Sequence, residues 1–115
     1  MRKLIIAYDP LNGYVCPDAR VAVMMTEFLD EYHEANKTDP DDMACHEIIV
    51  GNSVPIEYIR VAVKEGCIDP KNILFKFIDS KEKETKYIQI DRNGKLINAP
   101  KGFCDYSFNL MAQLF

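Results

Sequence analysis

Polar side chains follow the two apolar segments of this sequence that are most typical of buried strands. Asp9 comes directly after residues 3–8, and Asn52 and Ser53 come just after residues 46–50. If both segments are parallel strands of one sheet, their carboxyl ends meet at the edge where open α/β sheets bind ligands. Oxygen ligands suit hard divalent cations, so one candidate chemistry is a metal-assisted reaction on a phosphate ester. Asp9 is then the candidate catalytic residue, and Asn52 and Ser53 are candidate ligand-binding residues.

The first strand is followed by signals for a loop and then a helix. Asp9-Pro10 ends the strand because proline has no N–H to continue the ladder, and Asn12-Gly13 marks a turn. Apolar residues recur at steps of three and four from Val21 to Tyr32. This pattern predicts an amphipathic helix that begins at Pro17 and ends near Asn36.

A second helix is predicted after the second strand. Ser53 is a suitable N-cap, Pro55 fits the first helical turn, and Gly66 is a typical stop. The apolar residues that line one face of this helix are Ile56, Ile59 and Val63.

The last third of the chain reads as a hairpin. Asn72–Ile78 and Lys86–Asp91 are rich in β-branched and aromatic residues, which favours strands. The polar segment Asp79–Glu84 joins them, and Asn93-Gly94 is a turn signal. Asp79 ends the first of these strands and is a further candidate ligand.

A short motif follows the hairpin, and its residues are interpreted as structural. Pro100 opens it, Gly102 permits a tight turn, Phe103 fills the core and Asp105 caps a closing apolar helix over residues 106–115.

The order of elements is therefore β-α-β-α-β-β, a short strand, and α. Alternation of strand and helix predicts parallel pairing with right-handed crossovers. We expect one α/β domain over residues 1–115, with a mainly parallel sheet and an antiparallel C-terminal hairpin at its edge.

Composition excludes several classes of protein. The formal net charge of −4 and the lack of an aromatic-basic stripe argue against nucleic-acid binding. No window is long and apolar enough for a membrane span. The N-terminal apolar run is ended by Asp9-Pro10 and is interpreted as a strand, not a signal peptide. The four cysteines form no Cys-x-x-Cys pair, so we predict free thiols and a cytoplasmic location, with no metal site.

Each candidate site residue also has a simpler interpretation. Asp9 before proline is a common way to start a loop. Asn52 and Ser53 together suit a turn and a helix cap. One firm carboxylate is too few for a well-defined set of metal ligands.

Several segments, in order, resemble the C-terminal part of RecF-like and SMC-like prokaryotic ATPases related to the overcoming-lysogenisation-defect nucleases. Tyr8-Asp9-Pro10 resembles the end of the Walker B strand, and Val15-Cys16-Pro17 resembles the family's Leu-His-Pro step. Val50-Gly51-Asn52-Ser53 is similar to the strand end that carries the switch histidine. Gly66-Cys-Ile-Asp-Pro70 and the motif from Pro100 to Asp105 match the family's closing elements.

The resemblance implies an ATPase-like lobe whose catalytic positions have changed. The Mg²⁺-binding acid falls on Tyr8, the water-polarising position on Asp9, and the switch histidine on Asn52. The 115 residues contain no Gly-x-x-x-x-Gly-Lys-Ser/Thr loop to hold phosphates. We therefore expect no ATP hydrolysis by this chain, and ATP with Mg²⁺ as a cofactor only if a partner supplies that loop.

Three functions remain open. The first is a non-hydrolytic module in protein interaction or regulation, with an ATPase partner or as a homo-oligomer. The second is a divalent-metal-dependent enzyme on phosphate esters or nucleotides, using Asp9. The third is a truncated remnant without activity, since Met1 directly precedes the Walker-B-like strand.

Overall fold

A computed structural model describes residues 2–80, 82–100 and 103. Five strands and two helices make up the described part, and short 3₁₀ turns at Asp18–Arg20 and Pro70–Asn72 precede the first helix and the third strand. The elements are β1 (Lys3–Tyr8), α1 (Val21–Thr38), β2 (Cys45–Val50), α2 (Val54–Lys64), β3 (Ile73–Asp79), β4 (Glu84–Ile90) and β5 (Leu96–Ile97).

The sheet is mixed, with the strand order β2-β1-β3-β4-β5. Strand β1 pairs in parallel with both β2 and β3, so that Tyr8 lies between Val50 and Phe77. Strand β4 is antiparallel to β3 and β5 is antiparallel to β4. The prediction of a mainly parallel sheet is wrong. The connections after β3 and β4 are too short for a parallel crossover and can only reverse the chain.

Both helices pack on one face of this sheet. Alternate residues of β1 (Leu4, Ile6) share one buried cluster with Phe28 of α1 and Ile59 of α2. The two helices also touch each other, since the Thr26 and Tyr58 hydroxyls lie 3.2 Å apart. The described part of the chain is thus a two-layer sandwich, in which the apolar faces of α1 and α2 bury against a single sheet surface.

The shared helix face determines the hand of the crossovers. The chain passes from β1 through α1 to β2, and then returns through α2 to β3 on the other side of β1. Two crossovers that run in opposite directions have the same hand only when their helices lie on opposite faces. One connection is therefore left-handed, against the strong general preference, and the expectation of right-handed crossovers throughout is wrong.

The other face of the sheet is not covered by α1 or α2. Ile49 is 49% exposed and Tyr87 is 61% exposed on this face. Lys76 and Glu47 form an ion pair across it, with Nζ 3.5 Å from Oε1. We refer to it as the open face.

The end of α2 follows its local sequence signal, whereas the start of α1 does not. Gly66 adopts φ +80° and ends α2, with the Cys67 amide donating to the Ala62 carbonyl at 2.9 Å, a Schellman motif. Helix α1 begins at Val21 and not at Pro17, because a 3₁₀ turn occupies the residues between them. No helix in the described ranges is long and apolar enough to cross a bilayer.

Candidate functional site

The predicted site lies where β1 and β2 end, and we call this region the carboxyl edge (residues 8–17 and 50–53). Asp9 lies there and is only 8% exposed. Its Oδ1 accepts hydrogen bonds from the amides of Leu11 at 3.2 Å and Asn12 at 3.1 Å. Its own amide donates to the Val50 carbonyl at 2.8 Å. The Asp9 carboxylate therefore caps its own loop and points into the turn.

Asn52 uses both ends of its side-chain amide on one neighbouring residue. Oδ1 accepts from the Cys16 amide at 3.1 Å, and Nδ2 donates to the Cys16 carbonyl at 2.8 Å. The side chain thus pairs with the β1–α1 loop in the way that a neighbouring strand would. One of its two N–H donors and one acceptor site of its oxygen are thereby used inside the protein.

Ser53 is the residue directly before α2, but its side chain does not cap the helix. The side chain is 3% exposed and makes no capping hydrogen bond. Its hydroxyl lies 3.5 Å from Oε1 of Glu57, while its carbonyl accepts from the Glu57 amide at 2.9 Å. The predicted position is therefore observed, whereas the predicted side-chain cap is not.

Two glycines allow the loops of the carboxyl edge to cross in contact. A Cβ atom on Gly13 would lie 2.2 Å from the Val50 carbonyl oxygen, and one on Gly51 would lie 2.3 Å from the Gly13 oxygen. The Gly51 amide donates to the Tyr14 carbonyl at 2.7 Å. No side chain fits at either position, so the crossing closes the space between the two strand tips.

Tyr8 occupies the strand end at which the resemblance expects a Mg²⁺-binding acid. It is 5% exposed, and its ring centroid lies 5.6 Å from that of Phe77 and 5.6 Å from that of Phe103. Phe103 itself is 1% exposed and fills the core beside these rings. Gly102, Asp105 and the helix predicted over residues 106–115 lie outside the described residues.

The remaining candidate ligand, Asp79, serves the hairpin. Its Oδ1 accepts from the Glu82 amide at 3.3 Å in the turn between β3 and β4. In the part of the chain that the structure describes, no three His, Cys, Asp or Glu side chains are grouped to hold a metal ion. The polar groups predicted to converge on a ligand are directed mainly to backbone atoms.

Cys16 stands where the resemblance has a histidine. It is 1% exposed, and its thiol donates weakly to the Pro17 carbonyl at 3.5 Å. Burial raises the pKa of this thiol, and the charge of Asp18 raises it further. A buried, protonated thiol is a poor nucleophile, so Cys16 suits packing better than chemistry.

Sequence reasoning missed the apolar surface of the same region. Leu11 is 72% exposed, Tyr14 is 54% exposed and Val15 is 63% exposed, all within the Leu11–Val15 loop. The two turn signals, Asn12-Gly13 and Gly51-Asn52, indicated a loop here but not its outward display of large side chains. Three such residues within five positions make an exposed apolar patch on this loop.

Cavities lie at the opposite end of the strands, which we call the amino edge. One of about 440 Å³ is lined by Lys3, Lys71 and Arg92 among others. Another of about 670 Å³ lies beside the end of α1, near Arg2 and Glu34. Both of these cavities lie away from the edge predicted to bind ligands.

No family model, curated protein or solved structure matches the chain.

Proposed function

We propose that the domain is a non-hydrolytic protein-interaction module, related to RecF-like and SMC-like ATPases, whose contact surface is the Leu11–Val15 loop. The observation that carries this proposal is the exposure of Leu11, Tyr14 and Val15, at 72%, 54% and 63%, on a loop held rigidly from beneath. Exposed apolar side chains on a fixed backbone bind a partner at a low cost in entropy.

The rigidity of the loop comes from groups first considered as ligands. Asp9 binds the amides of Leu11 and Asn12, and Asn52 bonds twice to Cys16. The crossing of Gly13 and Gly51 fixes the middle of the loop. These contacts support a preorganised surface and leave few polar groups free for a substrate.

Hydrolysis of ATP is disfavoured by the residues at the strand tips. Tyr8 packs in the core where the related ATPases have a Mg²⁺-binding acid, and the 115 residues contain no phosphate-binding loop. ATP and Mg²⁺ enter this proposal only through a partner that supplies the loop. The partner is then an ATPase subunit or a second copy of this domain.

The test compares two double variants with equal loss of exposed apolar area. Leu11→Ser with Val15→Ser removes the proposed surface. The control, Val23→Ser with Met43→Ser, removes side chains that are 63% and 74% exposed elsewhere. Each tagged protein is used for quantitative affinity capture from its native extract, and its mass is measured by sedimentation.

We expect the wild type and the control to retain a stoichiometric partner or a defined oligomer, and the loop variant to lose it at least about tenfold. The proposal fails if the wild type remains a monomer without a partner, or if both variants bind equally. Equal cooperativity of urea unfolding shows that the loop variant is folded.

The second candidate is a divalent-metal-dependent enzyme on phosphate esters that uses Asp9. The structure favours this enzyme less than the interaction module. Asp9 is a single buried carboxylate, and it would have to turn away from the Leu11 and Asn12 amides to bind a metal ion. Calorimetry with Mg²⁺, Mn²⁺ and MgATP distinguishes the two candidates. Binding that Asp9→Ala abolishes supports the enzyme, whereas absence of binding supports the interaction module.

A further inference from the structure

A groove at the amino edge is lined by three cationic side chains. Lys3, Lys71 and Arg92 are all exposed and line this groove of about 440 Å³. The one carboxylate in its lining, Asp91, is already bound by the amides of Asn93 at 2.8 Å and Lys95 at 3.0 Å. We call this region the basic groove.

The basic groove continues onto the open face. Leu74 lines the groove and alternates along β3 with Ile73 and Phe75, which are buried under the helices. Since successive side chains of a strand point to opposite faces, Leu74 lies on the open face. The cations therefore stand beside a partly apolar sheet surface that α1 and α2 do not cover.

A complementary surface lies on the outer side of α1. Glu27, Asp30, Glu31 and Glu34 are all exposed. Their spacing of three and four residues places them along one line of the helix, which we call the acidic stripe. The nearby cation Arg2 is neutralised by Asp42, with Nη2 2.8 Å from Oδ2. This stripe accounts for four of the 18 acidic residues in a chain of net charge −4.

The two charged surfaces face different directions in one molecule. Helix α1 packs on the covered face of the sheet and the acidic stripe points away from it, whereas the basic groove lies at the amino edge, with Leu74 of its lining on the open face. Opposite charges on opposite sides of one molecule suit contact between separate copies.

We propose that the basic groove receives the acidic stripe of a second copy of this chain. Carboxylates of α1 from one copy then face Lys3, Lys71 and Arg92 of the next, and the helix covers part of the open face. This contact is heterologous, because the two surfaces differ, so copies add head to tail. This contact does not involve the Leu11–Val15 loop, and it adds self-association to the proposed function.

The sign of the salt dependence identifies this contact. A net charge of −4 repels like molecules, and added salt weakens that repulsion. Association through opposite surface charges responds in the opposite way and weakens as salt rises. Self-association that is lost with salt therefore indicates complementary patches and not general stickiness.

The experiment is sedimentation velocity at about 0.02 M and about 0.5 M salt, at protein concentrations up to about 0.5 mM because surface ion pairs bind weakly. One variant, Glu27→Lys with Glu31→Lys, reverses the stripe. The other, Lys71→Glu with Arg92→Glu, reverses the groove. The control, Glu65→Lys with Glu84→Lys, makes the same charge change as the stripe variant at exposed positions elsewhere.

We expect wild type and control to associate at low salt, and each reversal variant alone to show a dissociation constant raised at least about tenfold. Mixing the two reversal variants restores association, because each supplies the surface that the other lacks, and this also shows that both are folded. Leu11→Ser with Val15→Ser leaves the assembly unchanged. A monomeric wild type at low salt, or a mixture that does not associate, overturns the proposal.

Discussion

The two edges of the sheet use their polar residues in different ways. At the carboxyl edge, Asp9 and Asn52 bind backbone groups of the adjoining loops and leave apolar side chains outside. At the amino edge, Lys3, Lys71 and Arg92 are exposed around a groove, with the Lys3 Nζ 3.4 Å from the Lys71 carbonyl oxygen. The first edge is closed and suited to an apolar contact, and the second is open and suited to a charged one. The contrast teaches that polar residues at strand tips can build a loop as readily as a ligand site.

The largest expected effect is at the carboxyl edge, where the backbones of Gly13 and Gly51 cross in contact. Gly13→Ala places a methyl group 2.2 Å from a backbone oxygen, so we expect a loss of about 3 kcal/mol in the free energy of unfolding. Gly66→Ala is the control, because its Cβ meets nothing within 4 Å and only its φ of +80° is costly, at about 1 kcal/mol. Urea unfolding measures both. Equal losses would mean that the carboxyl edge can loosen and is not closed.

The next test compares one asparagine from each edge. Asn52→Ala removes the hydrogen bonds that its side chain makes to the Cys16 amide and carbonyl. We expect a loss of about 2 kcal/mol in the free energy of unfolding. Asn36→Ala, at the amino edge, removes the hydrogen bond from the Arg2 amide and the contact with the Tyr32 hydroxyl, at a cost of about 1 kcal/mol. Thermal or urea unfolding of the two variants ranks them. The reverse order would place the tighter polar network at the amino edge.

A smaller effect, of opposite sign, is expected toward the amino edge. His46 stacks on Phe28 with centroids 4.7 Å apart, and its buried Nε2 has no hydrogen-bond partner within the described residues. His46→Phe keeps the ring contact and removes the unsatisfied atom, so we expect a gain of about 1 kcal/mol. His33→Phe, at an exposed position, should change stability by less than about 0.5 kcal/mol. A loss of stability in His46→Phe would show that Nε2 is in fact satisfied.

The smallest expected effect is a pH dependence of the free energy of unfolding that differs between the two edges. Burial raises the pKa of Cys16 at the carboxyl edge and of Tyr32 toward the amino edge, with Asp18 and Asp69 respectively raising them further. Above its ordinary pKa, each group loses its proton in the unfolded chain but still keeps it in the folded protein. Ionisation then favours the unfolded chain, so the free energy of unfolding falls as pH rises through this range. Because cysteine ordinarily ionises at a lower pH than tyrosine, the two losses occur in different ranges.

The measurement is the free energy of unfolding from about pH 8 to pH 11, a range that spans both ordinary pKa values. Cys16→Ala should remove the earlier part of the decline, and Tyr32→Phe the later part. Curves that stay parallel to the wild type in both variants would contradict this assignment.

Much of the local structure could be predicted because its causes are local. The Schellman ending at Gly66 and the Asn93-Gly94 turn follow from the conformational freedom of glycine, and both have φ near +80°. The strand and helix segments follow from the spacing of apolar residues. Helix α1 differs only in its first turn.

The arrangement of the sheet could not be predicted in the same way. The local pattern does not say that β3 pairs in parallel with β1, and this pairing places the hairpin in the body of the sheet. Nor does it place α1 and α2 on one face, since this depends on contacts such as that between Thr26 and Tyr58. The candidate site failed for a related reason. The sequence places Asp9 and Asn52 at strand tips, but it does not show that their side chains bond to backbone groups of the Leu11–Val15 loop and of Cys16.

The crossing of Gly13 and Gly51 also determines which parts of the domain can open to solvent independently. The Gly51 amide donates to the Tyr14 carbonyl three residues before α2, so its exchange with deuterium requires the loop after β1 to separate from the segment that leads into the helix. The two segments should therefore open together as one cooperative unit. A partner that binds Leu11 and Val15 would then slow deuterium uptake at Gly51 and in the first turn of α2, where it makes no contact.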